Sequence, residues 1–142
     1  MLNSKNNIDD QFQFLNSTQA KVKPKSFYVD YIDNSILPAN VKSALMGLLD
    51  IVEPIGKKVF NIGKILVHKA IELYNKYPNT AKGIFFAIVF GCIISYIPLI
   101  GGFLNEILTP IMALIGGLHG FFKDKRFLDM QKKVMEDIKN DI

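Results

Sequence analysis

Residues 83–122 read GIFFAIVFGCIISYIPLIGGFLNEILTPIMALIGGLHGFF, forty consecutive positions holding one charge, Glu106. The rest of the 142-residue chain is strongly charged, since all 17 Lys and Arg lie outside this block: 11 in residues 1–82 and 6 in 123–142. As a single helix the block would run roughly 60 Å, about twice a bilayer's hydrocarbon core. It is therefore expected to turn back on itself, and Pro98, Gly101, Gly102, Asn105 and Glu106 mark the turn. That leaves one span near Thr80–Ile97 and a second near Ile107–Phe122. Both are short for a full crossing, so the hairpin either spans or re-enters.

The flanks set the orientation. Lys64, Lys69, Lys76 and Lys82 precede the block, and Lys123, Lys125, Arg126, Lys132 and Lys133 follow it, while the turn carries no cation. The positive-inside rule then makes both termini cytoplasmic and the protein integral to the membrane. A net charge of +4 in this arrangement points to anionic headgroups, contacted by Lys57, Lys58, Lys64, Lys69, Lys76, Lys82, Lys123, Lys125 and Arg126. Nucleic acid is not expected as a partner, because the cations do not cluster among aromatics.

Residues 1–36 are polar and rich in Asn, Gln, Ser and Asp, which predicts a disordered tail. Within it Ser26–Ile32, SFYVDYI, is aromatic and β-prone: a loosely docked segment, a strand offered to a partner, or rings dipped into the membrane interface. Residues 37–78 form the second region. Val41, Leu45, Leu48 and Val52 make one helical stripe, and Pro54-Ile55-Gly56 breaks it. Lys57–Tyr77 then reads as an amphipathic helix with Val59, Ile62, Leu66, Ala70, Leu73 and Tyr77 on its apolar face. That helix either lies in the headgroup layer or packs on its neighbour. The hairpin region covers 79–122. The fourth region, 123–142, predicts a nearly neutral amphipathic helix that docks on its own chain or on another copy.

Small residues recur at helical spacing inside the block. Ala87, Gly91 and Ser95 line one face of the first span, and Ala113, Gly116, Gly117 and Gly120 line the second. Such faces let backbones approach closely, within one hairpin or between copies. No catalytic constellation is legible: the two histidines, His68 and His119, sit on separate elements, and there is no metal-spacing motif and no phosphate loop. No cofactor or metal is expected. The lone Cys92 reads as a small buried hydrophobe.

Asn105–Gly117, NEILTPIMALIGG, resembles the stretch that ends the first transmembrane helix of large-conductance mechanosensitive channels. The plan of amphipathic helices followed by a hydrophobic hairpin is similar to the membrane-inserting hairpin of pore-forming colicins, and phage holins share a two-span layout. These resemblances imply a membrane setting and assign no residue a role.

The expected fold is thus an all-α membrane protein: a two-span or re-entrant helical hairpin with flanking amphipathic cytoplasmic helices and a disordered N-terminal tail. The expected function is a small non-enzymatic hairpin anchor that self-associates or recruits a cytoplasmic partner through its N-terminal tail or C-terminal helix. The alternative is a membrane-permeabilising oligomer of holin, toxin or defence-effector type.

Overall fold

The computed structural model describes residues 4–77, 82–97, 106, 108–114 and 125–140. Seven helices and one short hairpin follow in order: α1 Ser4–Gln19, α2 Lys25–Asp33, α3 Ala39–Leu48, β1 Glu53–Ile55, β2 Lys58–Phe60, α4 Ile62–Tyr74, α5 Lys82–Tyr96, α6 at 108–114 and α7 Lys125–Asn140.

The membrane architecture is overturned. Among the described residues no helix is long and apolar enough to cross a membrane. The most apolar helix, α5, has 15 residues, so it rises about 22 Å where a crossing helix needs about 30 Å. The transmembrane hairpin, the integral-membrane placement and the two-sided topology built on it go with it. Of the turn residues, Glu106 is helical and exposed, whereas Pro98, Gly101, Gly102 and Asn105 lie outside the described residues. The apolar block is long because its first part is buried on nearly all sides by protein. Phe85 through Phe90, Cys92 and Ile93 are all buried. A helix that is apolar all round needs an apolar surround, and here other helices supply it.

The N-terminal region is not a free tail. Gln11, Phe14, Leu15 and Thr18 are buried on α1, at the i, i+3, i+4, i+7 spacing of one helix face. Four inward positions in a polar segment suffice to hold it. In α2, Tyr28 and Ile32 are buried one turn apart, so the β-prone SFYVDYI forms a helix. Tertiary burial outweighs its intrinsic strand preference.

The expected helix at Lys57–Tyr77 begins later. Glu53–Phe60 instead forms an antiparallel hairpin in which Glu53 pairs with Phe60, Pro54 with Val59 and Ile55 with Lys58. Gly56 has φ +67° and Lys57 does not share the positive φ, the signature of a type II′ turn. In such a two-residue hairpin Ile55 and Lys58 exchange hydrogen bonds, so Pro54 falls at a non-bonded pair where its missing N–H costs nothing. The outward carbonyl of Val59 accepts from Gln19 Nε2 of α1 at 3.3 Å, and the Asn61 amide donates to Gln19 Oε1 at 2.6 Å. One glutamine thereby fixes the hairpin to α1 and marks the start of α4.

Helix α4 is the common wall of the molecule. It packs on α1, α2 and α3 on one side and on α5 on the other, which settles the choice left open in the sequence in favour of packing. At Gly63 the C-terminal backbone of α3 sits directly on the helix, and the Gly63 amide donates to the Ile51 carbonyl at 3.1 Å. Helix α5 in turn packs against α4 and α7.

Candidate functional site

His68, Lys69 and Cys92 are each tied into structure. His68 on α4 meets Tyr28 of α2, with Tyr28 Oη 2.9 Å from His68 Nδ1. The same hydroxyl accepts from the Lys23 amide at 2.9 Å, so Tyr28 links the chain just ahead of α2 to the imidazole. Burial lowers the His68 pKa; Glu72 opposes that, and Lys69, Lys21 and Lys23 add to it. Burial also pushes the Tyr28 hydroxyl above its ordinary value.

Lys69 is the unexpected member. Assigned to a membrane surface from sequence, it is 1% exposed. Its Nζ lies 2.6 Å from Glu72 Oε1 and 5.6 Å from the centre of the Phe14 ring. Burial pulls its ammonium below the usual range by more than Glu72 restores. Burial pushes the Glu72 carboxyl up, but the hydrogen bond and charge of Lys69 outweigh it and hold the group acidic.

Cys92 is buried on α5, where its Sγ donates to the Gln131 carbonyl of α7 at 3.6 Å. Loss of solvent pushes the thiol up to about 12, which leaves it inert as a nucleophile at neutral pH. A second tie to α7, from the residues just past α4, is made at Asp137. Tyr77 Oη donates to Asp137 Oδ2 at 2.8 Å, with Lys76 Nζ 3.7 Å from Oδ1. Val134 and Ile138 are buried on the inward side of α7.

The small-residue faces divide. Ala87 is buried, and a Cβ added at Gly91 would rest 3.4 Å from the Met112 side chain of α6, so this part serves packing within the chain. Ser95 and Ala113 are exposed, while Gly116, Gly117 and Gly120 lie outside the described residues. Of the other lysines expected at a surface, Lys57, Lys58, Lys76 and Lys125 are exposed, and Lys64 and Lys82 are half-buried. Lys82 stacks over Tyr31 at 4.4 Å and Tyr74 at 5.3 Å, joining α5 to α2 and α4. Lys123 and the Arg126 side chain lie outside the described residues.

Two open clefts are lined by described residues. One, of about 390 Å³, is lined by Phe27, Asp30, Tyr31, Asn34 and Lys82. The larger, about 480 Å³, runs along α7 between Lys125, Leu128, Asp129, Gln131, Lys132 and Met135. Leu128 at its floor is 46% exposed, and Leu114 on α6 is 45% exposed. Among the described residues this groove, with its apolar floor and charged rims, is lined by α7 alone. The amphipathic period of α7 is legible in its residues; the alternating charges on its outer side carry no signal until the helix is placed.

Comparison with protein-family models, curated proteins and solved structures finds no match for this chain.

Proposed function

We propose that this protein is a non-enzymatic helical assembly protein that works by associating with a second copy of itself. The observation that carries the reading is the cleft along α7, where Leu128 and Met135 form an apolar floor between the charged rims of Lys125, Asp129 and Lys132. Its inward side already closes over α5 through Val134 and Ile138, so the outer cleft is surplus to the chain's own packing. The groups that could do chemistry point the same way. Cys92 is sealed, and His68 and Lys69 are committed to Tyr28 and Glu72. This reading keeps association from the sequence expectations and drops the anchor.

Sedimentation equilibrium of the full chain tests it. A molecular weight that rises with concentration, reaching the dimer by on the order of 100 μM, is the expected result. A 16.0 kDa monomer throughout would overturn the proposal.

A further inference from the structure

The reading above leaves open how the second copy is recognised, and the outer face of α7 carries that information. Lys125, Asp129, Lys132 and Glu136 follow one another at spacings of four, three and four residues, which keeps them on one side of the helix. That side lies opposite Val134 and Ile138, and all four residues are exposed. Their charges alternate in sign along the axis. Such a row commonly closes on itself through ion pairs within the helix. Here it does not: among the described residues the ion pairs are Lys25–Asp50, Lys69–Glu72 and Lys76–Asp137, and none uses these four side chains.

We infer that α7 is a self-recognition strip, pairing antiparallel with α7 of a second copy about a two-fold axis between Met130 and Gln131. In that register Lys125 faces the partner's Glu136 and Asp129 faces the partner's Lys132. Symmetry repeats both contacts, so four opposite-charge pairs form and no like-charge pair does. The parallel arrangement is excluded by the same row, because it sets lysine against lysine and acid against acid at every level. Beside the row, Leu128 and Met135 supply the apolar floor that a second helix would cover. The paired row, Lys125 to Glu136, spans 12 residues, about 18 Å. This inference rests on the self-association proposed above.

The experiment compares three full-length proteins by sedimentation velocity at low and high salt. These are wild type, Lys132→Glu, and the charge swap Asp129→Lys/Lys132→Glu. All changed side chains are exposed, and an unchanged far-ultraviolet spectrum and melting curve checks that each variant is folded. The single change is met twice across the axis, so the wild-type dimer is expected to weaken by roughly tenfold or more in Lys132→Glu. It is expected to return in the swap, which re-forms the 129–132 pairs with reversed sign. High salt is expected to weaken wild type and swap alike, because exposed pairs are screened. A dimer that persists equally in all three proteins overturns the strip while leaving self-association standing. Loss in the single variant without rescue in the swap also overturns the antiparallel register. A wild-type monomer at every concentration removes both the strip and the reading beneath it.

Discussion

Replacing Gly63 by alanine is expected to be among the most damaging small changes in this protein. A Cβ built at Gly63 would lie 1.7 Å from the Leu48 carbonyl oxygen, 2.7 Å from the Leu48 carbonyl carbon and 3.2 Å from Leu49 Cα. All three atoms are backbone, so no rotamer change relieves the clash. The C-terminus of α3 must move away by well over an ångström. That movement strains the 3.1 Å hydrogen bond from the Gly63 amide to Ile51 and the entry into the hairpin behind it. Overpacking of this kind costs about 1–3 kcal/mol, and the strained hydrogen bond about 1 kcal/mol more. Alanine's better helix propensity returns at most about 1 kcal/mol. The net expectation is a loss of about 1–3 kcal/mol, or a melting temperature lower by roughly 3–12 °C for a chain of this size. Urea titration followed by circular dichroism measures it directly. Gly47→Ala provides the control, because nothing lies within 4 Å of its added Cβ. It is expected to stabilise the protein by up to about 1 kcal/mol. If Gly63→Ala proves as stable as Gly47→Ala, the close seating of α3 on α4 is wrong.

Three further outcomes are expected. Cys92 should react with a thiol reagent at pH 8 roughly a thousandfold more slowly in the native protein than in urea, since its thiol stands near 12 against an ordinary 9.0; equal rates would contradict its burial. His68 is neutral in the fold with a lowered pKa, so the unfolded chain takes up its proton first and stability falls as pH drops below about 6.5. Urea midpoints at pH 7.5 and 5.5 should therefore differ more in wild type than in His68→Gln, and identical differences would remove the histidine from the account. Glu72→Gln leaves the buried Lys69 ammonium without its carboxylate and is expected to cost about 1–3 kcal/mol, less than for a fully buried pair because Glu72 is 37% exposed. Lys69→Met, which removes the buried charge itself, should cost less; the reverse order in urea titrations would show that Phe14 and its neighbours need the ammonium more than the carboxylate does.

Much of the helical framework was legible in the residues. Val41, Leu45 and Leu48 lie on a buried face as their spacing implies, and so do Ile62, Leu66, Ala70 and Leu73. The stripe failed at Val52, half exposed because α3 ends at Leu48 and the chain turns toward the hairpin. The N-terminal helices were missed for a compositional reason: Phe14, Leu15, Tyr28 and Ile32 are few among many polar neighbours, yet each lies on the inward face of its helix and is fully buried. The largest error came from reading absence of charge as contact with lipid. Hydropathy reports that α5 needs an apolar surround and is silent on whether lipid or protein provides it. Here Phe14 of α1 approaches Tyr96, Tyr74 and Tyr77 of the α4 end pack on Phe85, and Gln131 of α7 covers Cys92. None of these pairings is encoded by helical spacing, because each joins residues of different elements. Lys69 was misplaced for a related reason, since a lysine on the border of an amphipathic face gives no sign that Glu72 and Phe14 will enclose it.

Helix α4 serves two neighbours that arrive at different times. Everything that covers its first side, from α1 through the hairpin, precedes it in the chain, so that half can close as soon as Tyr74 leaves the ribosome. Its second side must wait for α5, and α5 must wait for α7, whose last residues emerge more than sixty positions later. At ordinary translation rates that interval is on the order of several seconds. During it the nascent protein carries a finished N-terminal half with a bare apolar wall, followed by the most hydrophobic helix in the sequence, still uncovered. The order of elements thus makes the young chain a natural client for chaperones that hold apolar helices.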